Sequence, residues 1–299
     1  MEAIRKVLFP TKFEDLSFRC LERLLPLKEA GLEEVILLFV IDRDEVAYNL
    51  FRGFDKKLAD QLREEARIRF EDWEKELAER GVKARHLIEI GSPEGKILEI
   101  GCREEVDLIV AGRQHEHLGD AVYLGGTTMG ILRRSAIPVY VCKHPPEGAC
   151  EVPGTSPFER VLYATDFSPD SERALVFVKA LGPVAKAVDV VHVITERDFQ
   201  KCPPEEVARA EAEAKERMAA ICDDLKAAGK EADWHLLAGN TAAEILKAAQ
   251  DHHSTLIVMG TKGKHGLKEM WVGSASHRVA ELSPVPVVLV PTERAECYI

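Results

Sequence analysis

Thr255-Leu256-Ile257-Val258-Met259-Gly260-Thr261-Lys262-Gly263, nine further residues and then Gly273-Ser274 form the stretch that decides the fold. The apolar run reads as a buried strand, and Ser274 to Glu281 reads as a helix. Between them lies a loop punctuated by glycine. Glycines let backbone approach an anion, and the free N–H groups of a helix's first turn point at it. A strand that empties into such a loop and helix suits a phosphate group.

The same pattern occurs earlier in the chain, because the chain is written twice. Val7-Leu8-Phe9-Pro10-Thr11-Lys12-Phe13 aligns with Val161-Leu162-Tyr163-Ala164-Thr165-Asp166-Phe167. Val35 to Ile41 aligns with Val188 to Ile194. Gly91 to Cys142 aligns without a gap with Gly239 to Val290, at a constant offset of 148. A period this long implies duplicated domains rather than a solenoid. The expected division is 1–145 and 159–293, joined by a linker at 146–158 within the Pro/Gly-rich stretch Lys143 to Phe158.

Each half alternates short apolar runs with helical patterns. In the second half the strands are expected near 160–165, 188–194, 233–238, 255–260 and 286–290. Ser168 suits a helix cap with Pro169 at the first helical position. Val207, Ala210, Ala214, Met218, Ile221 and Leu225 step by three or four, as do Leu58, Leu62, Ala66, Trp73 and Leu77. Both stripes are expected to face the core. Strands of continuous Val, Ile and Leu alternating with helices predict an α/β fold. Each half is a doubly wound five-stranded parallel sheet, with ligands at the C-terminal strand ends.

Composition narrows the function. The net charge of −11 disfavours general attraction to nucleic acid or an anionic membrane. No apolar run is long enough to cross a bilayer, and Met1 to Lys6 has no signal-peptide layout, so a soluble cytoplasmic protein is expected. Seven cysteines at irregular spacing, without a C-x-x-C, point to neither a disulfide framework nor a zinc site; most read as small buried hydrophobes.

Three strand ends converge in such a fold. The first carries Ala164-Thr165-Asp166-Phe167-Ser168. Asp166 suits ribose hydroxyls or a base, but Asp166 or Ser168 also suits a plain helix cap. The second carries His192-Val193-Ile194, whose backbone suits a purine edge, although Val193 also reads as core. The third is the glycine loop. There Ser274 and Ser276 offer hydroxyls, and Lys262, Lys264, His265 and Lys268 offer charge or simply solvation. Trp271 reads as a plug rather than a base-stacking platform.

Together these features resemble the universal stress protein family in its tandem form. The ATP-binding signature G-x-x-G-x(9)-G-[ST] is met by Gly260, Gly263, Gly273 and Ser274. The first-strand aspartate is met by Asp166, the second-strand valine by Val193, and the closing Val-Pro-Val-Val by residues 285–288. The resemblance implies a Rossmann-like fold of the adenine nucleotide alpha hydrolase kind. It also implies ATP or AMP, with adenine near Val193, ribose near Asp166 and phosphates over the loop. The implied binding set is Ala164, Thr165, Asp166, Phe167, Val193, Met259, Gly260, Thr261, Gly263, Lys264, Gly273, Ser274, Ala275 and Ser276. Any magnesium would be held through the phosphates. The last strands of the two copies are expected to pair within the chain as a pseudo-dimer, with further homodimerisation open.

The first copy departs from that signature. His115 stands where the second glycine belongs, Gly126 where the hydroxyl belongs, and Lys12 where the aspartate belongs. A lysine cannot accept ribose hydroxyl bonds, so it would neutralise a phosphate or pair with Glu14 or Asp15. Thr127 and Thr128 offer substitute hydroxyls. The expected function is a nucleotide-binding stress-response regulator, with the nucleotide chiefly in the second half. A slow ATPase using His265 or Asp166, and a scaffold with structural nucleotide, are the alternatives. No convincing nucleophile–base pair marks an enzyme.

Overall fold

The computed structural model describes residues 3–13, 18–48, 53–112, 114–115, 122–142, 156–195, 203–262 and 272–291. The first half contributes strands β1 (Lys6–Pro10), β2 (Glu34–Asp42), β3 (Lys83–Gly91), β4 (Leu108–Ala111) and β5 (Val139–Val141). The second repeats them as β6 (Arg160–Ala164), β7 (Ala187–Ile194), β8 (Glu231–Ala238), β9 (Leu256–Gly260) and β10 (Val287–Val290). The main helices are α1 (Phe18–Glu22), α2 (Lys56–Glu79), α3 (Pro93–Arg103) and α4 (Gly126–Arg134), then α5 (Pro169–Ala180), α6 (Pro204–Ala227), α7 (Thr241–Asp251) and α8 (Ser274–Leu282).

The ten strands form one sheet ordered β8-β7-β6-β9-β10-β5-β4-β1-β2-β3. Pairing is parallel within each half, and the order changes direction beside β6 and beside β1. The halves meet where β10 runs antiparallel to β5, with Val287 opposite Val141, Val288 opposite Tyr140 and Leu289 opposite Val139. The closing strands therefore pair within the chain, as their apolar edges require.

Side chains alternate across this junction. Tyr140, Val288 and Val290 enter the core under α1, α2, α5 and α6. Val139, Val141, Val287 and Leu289 enter the core under α3, α4, α7 and α8. Both cores run unbroken through the two halves, which is why the strands read as continuous apolar runs instead of alternating ones.

Local signals explain the helix starts. Ser168 Oγ accepts from Ser171 N at 3.4 Å, and Pro169 opens α5. Asn240 Oδ1 caps α7 through Ala243 N at 3.1 Å. One expectation needs correction. Cys20, Cys142 and Cys222 are buried thiols, as expected, but Cys102 is half-buried and disulfide-bonded. Irregular cysteine spacing carries no information about which thiols the fold brings together.

Candidate functional site

The C-terminal ends of β6, β7 and β9 open into a cavity of about 540 Å³. Its floor begins with a tight turn after β6. Thr165 Oγ1 accepts from Phe167 N at 3.0 Å, and Phe167 takes the left-handed conformation with φ 60°. Phe13 does the same after β1, with φ 69° and its N–H on Thr11 Oγ1 at 2.7 Å. A bulky residue held at positive φ in both copies is a strained, specified turn. It sets where Asp166 points. Asp166 is half-buried at the cavity wall, and its Oδ1 accepts from Ser168 N at 3.0 Å. The carboxylate therefore caps the turn and also lines the cavity.

Beneath the turn, Tyr163 donates its hydroxyl to Ser171 O at 2.7 Å, and burial pushes its pKa up to about 12. His192 donates from Nδ1 to Thr165 O at 2.7 Å and packs on Phe167, with ring centroids 4.7 Å apart. Val193 lines the cavity on β7 while remaining nine-tenths buried, so it is both core and wall.

The far wall is the β9–α8 connection. Met259 and Gly260 line it from the strand; Gly273, Ser274, Ala275 and Ser276 line it from the helix start. Gly273 N donates to Thr261 O at 2.8 Å, closing the loop base. Gly273 is the N-cap of α8 and supplies no side-chain cap bond. The first-turn N–H groups thus have no capping side chain and abut the cavity, where an anion suits them. Ser276 is buried and donates inward, to Thr261 O at 2.7 Å or Gly273 O at 2.9 Å, so its hydroxyl braces the loop. Thr261 is likewise turned away, donating from Oγ1 to Asp170 Oδ2 at 3.0 Å. Lys262 N donates to that oxygen at 2.9 Å, while Lys262 itself lines the cavity. Gly263, Lys264, His265, Lys268, Glu269 and Trp271 lie outside the described residues.

Sequence reasoning missed the roof. The first two positions of the α6 stripe, Val207 and Ala210, line the cavity instead of the core; burial along the stripe starts at Ala214. The helix overhangs the sheet at its N-terminal end, so its apolar face there meets open space. Glu206, Glu213 and Arg217 join the roof, with the Arg217 guanidinium 4.2 Å from the Phe167 ring centroid. Among amphipathic helix charges nothing marks these three. Asp170 was missed as well, since an acidic residue in a first helical turn is ordinary.

The first copy has a smaller hollow, about 240 Å³, at the matching strand ends. Lys12 lines it and pairs with Glu45 at 3.5 Å; Glu14 and Asp15, the partners expected from sequence, lie outside the described residues. Thr128 Oγ1 donates to Gly112 O at 2.7 Å, the bracing role Ser276 has in the second copy. No helix among the described residues is long and apolar enough to cross a membrane.

Known proteins match along both copies. The universal stress protein family matches residues 3–143 and again 157–291. Universal stress protein MJ0577 of Methanocaldococcus jannaschii is 32% identical over 153 residues, covering 46% of this chain and 94% of that protein. A universal stress protein of Thermus aquaticus, named for the QAH/OAS sulfhydrylase 3′ region, is 34% identical over 141 residues, covering 44% of this chain and 98% of its own. The crystal structure of a universal stress protein from Archaeoglobus fulgidus aligns over 96% of this chain and 98% of that one, with a TM-score of 0.73 and 27% identity. With both halves matched, the chain belongs to the universal stress protein family.

Proposed function

We propose that the chain binds one adenine nucleotide, ATP or AMP, in the cavity of its second half, and that nucleotide state regulates a stress response. The carrying observation is the start of α8, which lacks a side-chain cap and opens into a cavity whose opposite walls hold Asp166 and Val193. Phosphates would sit on the α8 N–H groups. A ribose hydroxyl would donate to the Asp166 oxygen, and the purine edge would meet backbone at Val193. Magnesium, if taken up, would be carried by the phosphates. In the first half the cationic Lys12 and the smaller hollow favour weak or no binding.

Fast catalysis does not fit this arrangement. In this reading Asp166 would engage ribose rather than a terminal phosphate, and among the described residues 260–262 and 272–276 carry no carboxylate to hold a metal. Turnover below about one per second is expected, against the ~1–100 s⁻¹ usual for kinases. Ligand released by denaturing the purified full chain, identified by mass, together with calorimetric titration of ATP and AMP, tests the reading. About one adenine nucleotide per chain supports it. A folded protein that takes up none at millimolar nucleotide overturns it.

A further inference from the structure

A second cluster lies far from the cavity mouth, toward the start of β7. We propose that Asp189, His235 and His252 bind a first-row divalent cation of the zinc class. Asp189 Oδ1 stands 3.0 Å from His235 Nε2 and 3.9 Å from His252 Nδ1, and the three ligand atoms lie within 4.8 Å of one another. Bonds of about 2.0–2.2 Å in tetrahedral array place ligand atoms about 3.3–3.6 Å apart. The observed distances bracket that spacing, so small side-chain rotations suffice. Two imidazoles and one carboxylate, with no thiolate, suit a borderline cation better than calcium or magnesium.

The duplicated half shows that the fold does not need this cluster. The strand register pairs Asp189 with Asp233 and Val191 with His235; the first copy pairs Ile36 with Arg85 and Leu38 with Leu87. Asp189 and His235 therefore occupy the places of Ile36 and Leu87, and the constant offset sets His252 opposite Glu104. Ile36 is fully buried in the apolar core. Exchanging it for a buried carboxylate is costly unless the charge is compensated. A bond to His235 compensates part of it but leaves His252 unexplained. That ring stacks on His235, with centroids 4.0 Å apart, and turns Nδ1 to the same Asp189 oxygen.

Access is open, since the His235 and His252 side chains are 21% and 32% exposed. Solvent would complete the coordination sphere from that side. The cation would tie β7 and β8 to the residue that ends α7.

The test is titration of metal-free full-length protein with Co²⁺, followed by displacement with Zn²⁺. One Co²⁺ per chain is expected, with visible bands of nitrogen and oxygen ligation and no thiolate charge-transfer band. The double variant Asp189→Ile/His235→Leu installs the first copy's residues, so it should fold, which circular dichroism checks. It and His252→Ala should each lose at least about tenfold in affinity. Zn²⁺ should raise the Tm of the wild type and leave the double variant unmoved. Absence of stoichiometric binding, a thiolate band, or unchanged affinity in both variants would overturn the site.

Discussion

Gly260 and Asp170 are in direct contact: a Cβ on Gly260 would stand 2.6 Å from the Asp170 Cβ. The end of β9 and the first turn of α5 close on each other there, and the Asp170 carboxylate completes the joint through Thr261 and Lys262. The first glycine of the family signature thus serves helix–strand packing. Gly273 differs: its Cβ would lie 3.2 Å from both Thr261 O and Ser276 Oγ, within the loop base.

Gly260→Ala should therefore destabilise the fold itself. Its methyl would also meet Asp170 C and Ser171 N, at 2.9 and 3.0 Å, which are backbone atoms and cannot rotate aside. The expected loss is about 1–3 kcal/mol, the range for overpacking. Gly273→Ala should cost less, while Gly273→Val should abolish nucleotide binding by displacing the loop base. Urea denaturation of the alanine pair decides this; a Gly260→Ala variant as stable as wild type removes the packing argument.

Asp166→Ala should weaken adenine-nucleotide affinity by about 1–3 kcal/mol, through the lost ribose bond. The lost bond from Ser168 N should cost about 1 kcal/mol of stability. Calorimetry beside thermal melts separates the two effects. Unchanged affinity with folding intact would remove Asp166 from the site.

The central junction predicts two opposite outcomes. Tyr140 faces Val288, and its hydroxyl is buried without a hydrogen-bond partner among the described residues. Tyr140→Phe should leave stability unchanged or raise it, since a stranded hydroxyl costs desolvation. Val288→Lys places a charge at a fully buried point and should cost more than about 3 kcal/mol and separate the halves. Denaturation midpoints and small-angle scattering check both; a destabilised Tyr140→Phe would mean the hydroxyl has a partner.

Tyr163 gives a pH dependence of defined sign. Burial raises its folded pKa to about 12, above the ordinary ~10. The folded state favours the neutral phenol, so the stability it supports is complete below pH ~10 and is lost as pH rises through the folded value. At neutral pH, Tyr163→Phe should cost about 1 kcal/mol for the lost bond to Ser171 O. Between pH ~10 and ~12 the variant should overtake the wild type, as the wild type loses up to about 2–3 kcal/mol. Parallel stability curves for the two proteins across that range would contradict the burial account.

By itself the sequence determined the elements, the duplication and most of the strand ends. Short uninterrupted runs bounded by glycine, such as Leu256–Gly260, read as buried strand, and the caps at Ser168 and Asn240 act over three residues. The family signature located Asp166, Val193, Gly273 and Ser274, all of which line one cavity. Tertiary structure decided what each residue does there. Ser276 and Thr261 turn inward to brace the loop, and Gly260 answers to Asp170 ninety residues away in sequence. Val207 and Ala210 left the core for the roof, and the Asp189, His235 and His252 cluster came together from three elements. Periodicity reports which face a side chain takes, and short motifs report local backbone. What stands across from that face depends on how distant segments meet, and neither signal carries that information.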